Sequence, residues 1–384
     1  MDSLDVQRKQ GRMKDSKYDK KLKEEISALD RVGFDTKGEA ERSGSFLVIN
    51  NKEEESLSRE DALIILPITL ALEEYPWVKD LLFSLVNKDK DKWTKMVAEE
   101  EQIVGSFIYV KEGVKVQFPT QSCFFLHNEG FDQILHNVIV LDPGSKLDVI
   151  TGCTTGNLVT RGRHIAVTET FVREGASLSY TMIHDWGAKT LVYPRTAIKV
   201  EKKGSYTSNY VALTKVGEIQ SNPVAYLSDE ATVKFSSIIY GRPGSLIDMG
   251  SRVILKGRGS SGEIISRVVS KRSRIISRGY IEGGNEGTKG HMECNGLLLD
   301  KKSSIYAVPE LEASHIDTEL SHEASVGKIA GEQLNYLMSR GLDEESARSL
   351  LIRGFLEGGI KGLPRNIQDR IDAMIRKATS KESI

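Results

Sequence analysis

The chemistry of this chain is concentrated between Arg278 and Ile329. Cys294, one of three cysteines, sits there in HMECNGLLLD, and the pair His322-Glu323 follows 28 and 29 residues later. Thiolate, imidazole and carboxylate are the side chains that bind soft and borderline metals. No other stretch concentrates them this way. His291 and Glu293 are nearer to Cys294 in sequence. Positions three apart on an extended strand face opposite ways, however, so His-x-x-Cys is not a ready-made pair. A gap of 28 to 29 residues is about one coil of a stacked β architecture, which places His322 and Glu323 roughly above Cys294. HEAS at 322–325 echoes the turn sequence EGAS at 174–177. Both side chains are therefore expected at a corner, where neighbours need not alternate in and out. One Cys, one His and one Glu fall short of the four ligands an iron–sulfur site usually takes. Two copies across a two-fold axis supply enough.

Other motifs resolve into structure. GRGSSG at 257–262 matches a dinucleotide-binding pattern, but the strand-like EIISRVVSKRSRII follows it where that site needs a helix N-terminus. Gly327-Lys328 is followed by Ile329, so the chain carries no P-loop. The basic run Lys256, Arg258, Arg267, Lys271, Arg272, Arg274 and Arg278 has no interleaved aromatics before Tyr280 and reads as a solvated face. His164 and His184 lie in strand-like runs and read as packed side chains. Cys123 and Cys153 read as small buried residues.

The elements that position Cys294, His322 and Glu323 are strands. A net charge of −1 gives no bulk attraction to nucleic acid or membrane. The longest mostly apolar run, 62–72, contains Pro67 and is about half a membrane span. The polar N-terminus has no apolar signal region, and three cysteines argue for a reducing compartment, so a cytoplasmic location is expected. Residues 1–101 read as a polar tail followed by helices, including an amphipathic one over 17–29 and helical texture from 58 to 100. There Leu82, Leu85 and Val86 give i, i+3, i+4 spacing, with Trp77 and Trp93 as core anchors. Residues 102–328 change texture. SFIYV, CFFLH, NVIVL, KLDVIT, HIAVTETFV, SLSYTMI, SYTSNYVALT, TVKFSSIIY, EIISRVV and RIISRGYI are short β-branched runs separated by turns. The turns resemble one another, with glycines at 144, 175, 204 and 244 and Glu230 in an equivalent place. Recurring strands and turns at such intervals predict a parallel β-helix rather than a sandwich. Residues 329–384 return to helix. Gly341 closes the first, Asp343 caps the second, and Ile367, Ile371, Met374 and Ile375 stripe the third; the last residues, KATSKESI, read as frayed.

From Ser106 to Phe355 the chain resembles the SufB/SufD family, the scaffold subunits of SUF iron–sulfur cluster assembly. The resemblance is carried by HNVIVLDPGSKLDVITGC (136–153), HIAVTETFVREGASLSYTMIHDW (164–186), SRGYIEG (277–283) and ECNGLLL (293–299). Above all it is carried by ELSHEASVGKIAGEQLNYLMSRGLDEESARSLLIRGF (319–355). It implies a mostly β protein, a right-handed parallel β-helix between N- and C-terminal helical regions. It also implies pairing through the β-helices, as a homodimer or a SufB/SufD-like heterodimer, and docking of a SufC-type ABC ATPase on the C-terminal helices. Cys294 matches the cysteine that holds the nascent cluster, His322 the shared interface histidine and Glu323 the glutamate beside it. Ser321 replaces a glutamate that SufB tends to carry. No cysteine lies between Cys153 and Cys294 to match the sulfur-accepting one. The resemblance names neither the sulfur donor nor the cluster type, and it leaves open whether a reduced flavin takes part. A SufD-like subunit that positions the ATPase without holding a cluster is the alternative.

Overall fold

A computed structural model describes residues 27–36, 38, 40–358 and 365–380. The expected helix over 17–29 falls mostly outside this range; its described end is α1, Ser27–Arg31. The chain then forms strands β1 (Gly44–Ile49), β2 (Lys52–Ser58) and β3 (Leu63–Pro67), followed by helices α2 (Ile68–Glu74) and α3 (Lys92–Ala98). Next come β4 (Ser106–Val110), β5 (Thr120–Leu126), β6 (Asp132–Leu141), β7 (Lys146–Thr155), β8 (Arg161–Val172) and β9 (Ser177–Asp185). They continue as β10 (Lys189–Val200), β11 (Ser205–Ala212), β12 (Glu218–Ser221), β13 (Val224–Leu227), β14 (Thr232–Gly241) and β15 (Leu246–Leu255). The last are β16 (Ser261–Ser270), β17 (Arg274–Gly283), β18 (Lys289–Leu298), β19 (Ser304–Ala313) and β20 (Glu319–Lys328), before α4 (Gly331–Ser339), α5 (Glu344–Glu357) and α6 (Arg365–Ala378).

The strands stack as a parallel β-solenoid of about eight turns, as expected. Sheet 1 runs β2-β1-β5-β7-β9-β11-β14-β16-β18-β20, and sheet 2 runs β3-β4-β6-β8-β10-β12-β15-β17-β19, with β13 between β10 and β15. Successive parallel strands of the coils are one coil apart, so a residue's neighbour above lies 27 to 31 positions on, as in Tyr210↔Ser237↔Ser266↔Cys294. The space between the sheets is filled by Leu147, Val149, Val192, Ile247, Val268 and Met292. Helices seal the outer faces. α1 covers Cys123 and Ile183, α5 and α6 cover Ile150, Val211, Ile238 and Val269, and α3 covers Ile165 and Val167.

The corners explain the turn spacing. Gly144, Gly175, Lys203, Glu230, Gly259 and Gly287 all have φ between 55° and 68°. The amides of Gly144, Gly175, Lys203, Glu230 and Gly259 donate to the next coil's corner, at Glu174, Lys202, Asp229, Arg258 and Glu286, over 2.8–2.9 Å. The sequence pattern places Gly204 in this column. The left-handed residue is instead Lys203, and Gly204 is required because a Cβ would meet the Glu201 carbonyl at 2.9 Å. GRGSSG is the corner between β15 and β16, with no helix after it.

Two N-terminal expectations are corrected. Residues 63–67 are not helix but strand, paired antiparallel with β4. Leu82–Val86 is not helix either. The buried Glu169 carboxylate accepts the amides of Phe83 (2.6 Å), Leu85 (2.6 Å) and Val86 (3.1 Å), which takes the place of helical carbonyls. Trp93 is buried and stacks on Tyr193 at 3.9 Å, whereas Trp77 is only half-buried. At the other end the chain is held beyond the expected fraying point. Arg242 Nη2 donates to the Ala378 carbonyl at 2.8 Å, and Thr379 is buried.

Candidate functional site at the last coils

Alternation along β18 fixes the faces. Gly290, Met292, Cys294 and Gly296 are buried and point inward, while His291, Glu293 and Asn295 point outward. The register carries this to β20, where His322 stacks on Met292, Glu323 on Glu293 and Ala324 on Cys294. Cys294 and His322 are therefore diagonal neighbours on the inner face of sheet 1, with Cα atoms roughly 8 Å apart from strand spacing and rise. Glu323 is exposed on the opposite face. The corner expected at 322–325 is thus corrected. The residues lie mid-strand, and the turn comes earlier, at 315–318. Within one chain the structure brings together Cys294 and His322 but not Glu323.

Cys294 is 2 % exposed. Burial raises its thiol above the ordinary value of 9.0, a hydrogen bond with Ser277 opposes this, and the Glu293 charge adds to it. The thiol therefore rests protonated and needs exposure, or a cation, to become a ligand. Its surroundings are hydroxylic. Ser266, its neighbour one coil below, shares a 3.1 Å hydrogen bond with Ser277 and accepts one from Ser237 at 3.2 Å. His322 Nε2 is shielded from solvent and has no hydrogen-bond partner among the described residues. A buried, unpartnered imidazole nitrogen is costly unless something binds it. No group of three or more His, Cys, Asp or Glu side chains among the described residues is placed to hold a metal ion. Ser321, outward on β20, bonds His291 Nδ1 at 2.8 Å.

The remaining candidates are buried, the cysteines as small core residues and the histidines packed and hydrogen-bonded, as expected. Cys123 and Cys153 are fully buried, and burial drives both thiols up. His164 is pushed down to about 3 by burial and pairs with Gln133 at 2.8 Å; His184, also lowered by burial, pairs with the Tyr210 hydroxyl at 2.6 Å. What sequence reasoning missed is the support around Cys294, namely Ser266, Ser277 and Arg267. A polar residue at an inward position, as at 266 and 277, is the one available signal. At the C-terminus, Glu332, Gln333, Tyr336, Leu337, Leu350 and Leu351 line a groove between α4 and α5. Tyr336 is 63 % exposed there. No helix among the described residues is long and apolar enough to cross a membrane.

Residues 124–355 match the family model described as SUF system FeS cluster assembly, SufBD core domain. An iron-sulfur cluster assembly SufBD family protein of Methanothermobacter thermautotrophicus is 43% identical over 358 residues, 92% of this chain and 87% of the relative. One of Archaeoglobus fulgidus is 43% identical over 91% of this chain and 94% of its own, and one of Pyrococcus horikoshii is 33% identical over 83% and 72%. The family match spans more than half of the chain and the relatives cover most of it at 43% identity, so the chain belongs to the SufBD family of iron–sulfur cluster assembly proteins.

Proposed function

We propose that the protein is a scaffold on which an iron–sulfur cluster is built, working as a homodimer driven by a SufC-type ABC ATPase. The observation that carries this is the placement of Cys294 and His322 on one inner face, with His322 Nε2 shielded and unpartnered. Iron and sulfide are cargo, with the Cys294 thiolate and His322 as the ligands each chain offers. Glu323 faces away and joins only across the edge of β20, from the second copy. The half-complete ligand set and the open last coil both support assembly from two chains. The groove between α4 and α5 supports ATPase docking, and a pull-down with the helices after Gly331 deleted should lose that partner. The deciding experiment is anaerobic reconstitution with iron and sulfide. Wild type should incorporate both, and Cys294→Ala and His322→Ala should each lose most of it. Equal incorporation in all three would sink the site.

One observation favours a second reading, a SufD-like subunit that positions the ATPase and holds no cluster. Ser321 stands where SufB tends to carry glutamate, and it is engaged with His291. Retained ATPase binding without iron or sulfide incorporation by wild type would select that reading.

A further inference from the structure

The C-terminal helices lie on the outer face of sheet 1, and Cys294 lies on its inner face. Arg267 bridges the two. It stands on β16, pointing outward, at the margin of the patch that α5 and α6 cover. Its Nη1 donates to the Phe355 carbonyl at 3.2 Å, and its guanidinium sits 5.7 Å from the centre of the Phe355 ring. Its Nη2 donates to Glu293 Oε1 at 3.0 Å, where Asn295 Nδ2 also donates at 2.6 Å. Glu293 and Asn295 flank Cys294 on β18. Gly358, just past α5, packs on the same guanidinium; a Cβ there would lie 3.0 Å from Nη1 and 3.2 Å from Cζ. The end of α5 therefore closes directly onto Arg267.

We propose that Arg267 is a positioning residue that transmits movement of the ATPase-docking helices to the strand carrying Cys294, and so controls exposure of that thiol. This rests on the scaffold reading above. Partly exposed ion pairs add little to stability, so the pair's geometry matters more than its energy. Because side chains alternate, a pull on the outward Glu293 and Asn295 turns the backbone on either side of the inward Cys294. Helix and thiol are then two ends of one lever through the sheet, with Arg267 as the joint on the outer side.

The test is iodoacetamide alkylation of Cys294, followed on its peptide by mass spectrometry, in the complex with the partner ATPase with and without ATP. Cys123 and Cys153, both buried, are internal controls. In wild type ATP should accelerate alkylation. Arg267→Met should cut that acceleration about fivefold or more, the size of an ordinary allosteric coupling, with ATPase retention and the rate without ATP unchanged. Arg267→Lys should restore part of it. An undiminished acceleration in Arg267→Met overturns the lever and leaves the scaffold reading standing. No acceleration in wild type overturns the ATP-driven reading and the lever together. Should Arg267→Met fail to fold, Glu293→Ala removes the acceptor that ties Arg267 to β18 while leaving the helix contact intact. An undiminished acceleration there also overturns the proposal.

Discussion

β18 and β20 carry the same alternation in the same register, yet they live in different environments. On β18 the inward positions from Gly290 to Gly296 are buried; on β20 their counterparts are at best half-buried. Met292 is fully buried, while His322, stacked on it, has no coil above it among the described residues. Tyr306, Leu311, Val326 and Ile316, the last 95 % exposed, belong to this same final coil. In a solenoid each rung is sealed by the next, so the last rung is unfinished by construction. Cys294 is on the last sealed rung and His322 on the first unsealed one. A site placed across that boundary is closed by whatever covers the end.

Substitutions in the two regions should therefore diverge. Met292→Ala should cost about 2–5 kcal/mol, and His322→Ala no more than about 0.5 kcal/mol, by chemical denaturation. Equal costs would mean the last coil is as tightly packed as the interior. The sealed region should also register acid. Burial holds His164 neutral down to about pH 3, whereas the unfolded chain protonates it near 6.5. Its contribution is thus present above about pH 6.5 and lost as pH falls, by roughly 3 kcal/mol between about pH 7 and pH 4. Denaturation midpoints that stay flat over that range would contradict the burial; His164→Gln should remove much of the slope. A gentler probe is glycine. A Cβ at Gly152 would overlap Val32, whose carbonyl would lie 2.7 Å away, whereas one at Gly327 meets nothing within 4 Å. Gly152→Ala should lower stability by about 1–3 kcal/mol, and Gly327→Ala should change it by less than about 1 kcal/mol, as read from melting midpoints. The smallest change is expected at Ile316. Ile316→Ser should alter stability by less than about 0.5 kcal/mol. It should also weaken self-association in sedimentation, if a second copy covers this end.

Much of this was legible in the sequence. The runs from SFIYV to RIISRGYI are strands because β-branched residues mark them and their turns recur each coil. What local reading missed depended on distant partners. GSFLVI at 44–49 is a strand because β1 pairs with β5 some 75 residues later, and Leu82–Val86 avoids helix because of Glu169. The strands that follow Gly217 were hidden too: β12 and β13 are four residues each, split by Asn222-Pro223. For the site, residue types pointed to Cys294, His322 and Glu323, but the face each takes needed the register. Treating 322–325 as a turn placed Glu323 beside His322, and one strand of alternation separates them. Arg267 gave no local signal, since its partners Phe355 and Glu293 are 88 and 26 positions away.

The column of left-handed corners has a consequence for how such a chain can vary. From Gly144 to Gly259 each corner hands its amide to the equivalent carbonyl one coil on, and the step is nearly constant. The coil is thus a unit of translation, like a stair tread. Adding or removing one whole tread leaves every remaining contact its own neighbour. Inserting or deleting one interior tread would therefore leave the junction at the last tread, with Cys294 beneath it and His322 upon it, as it stands.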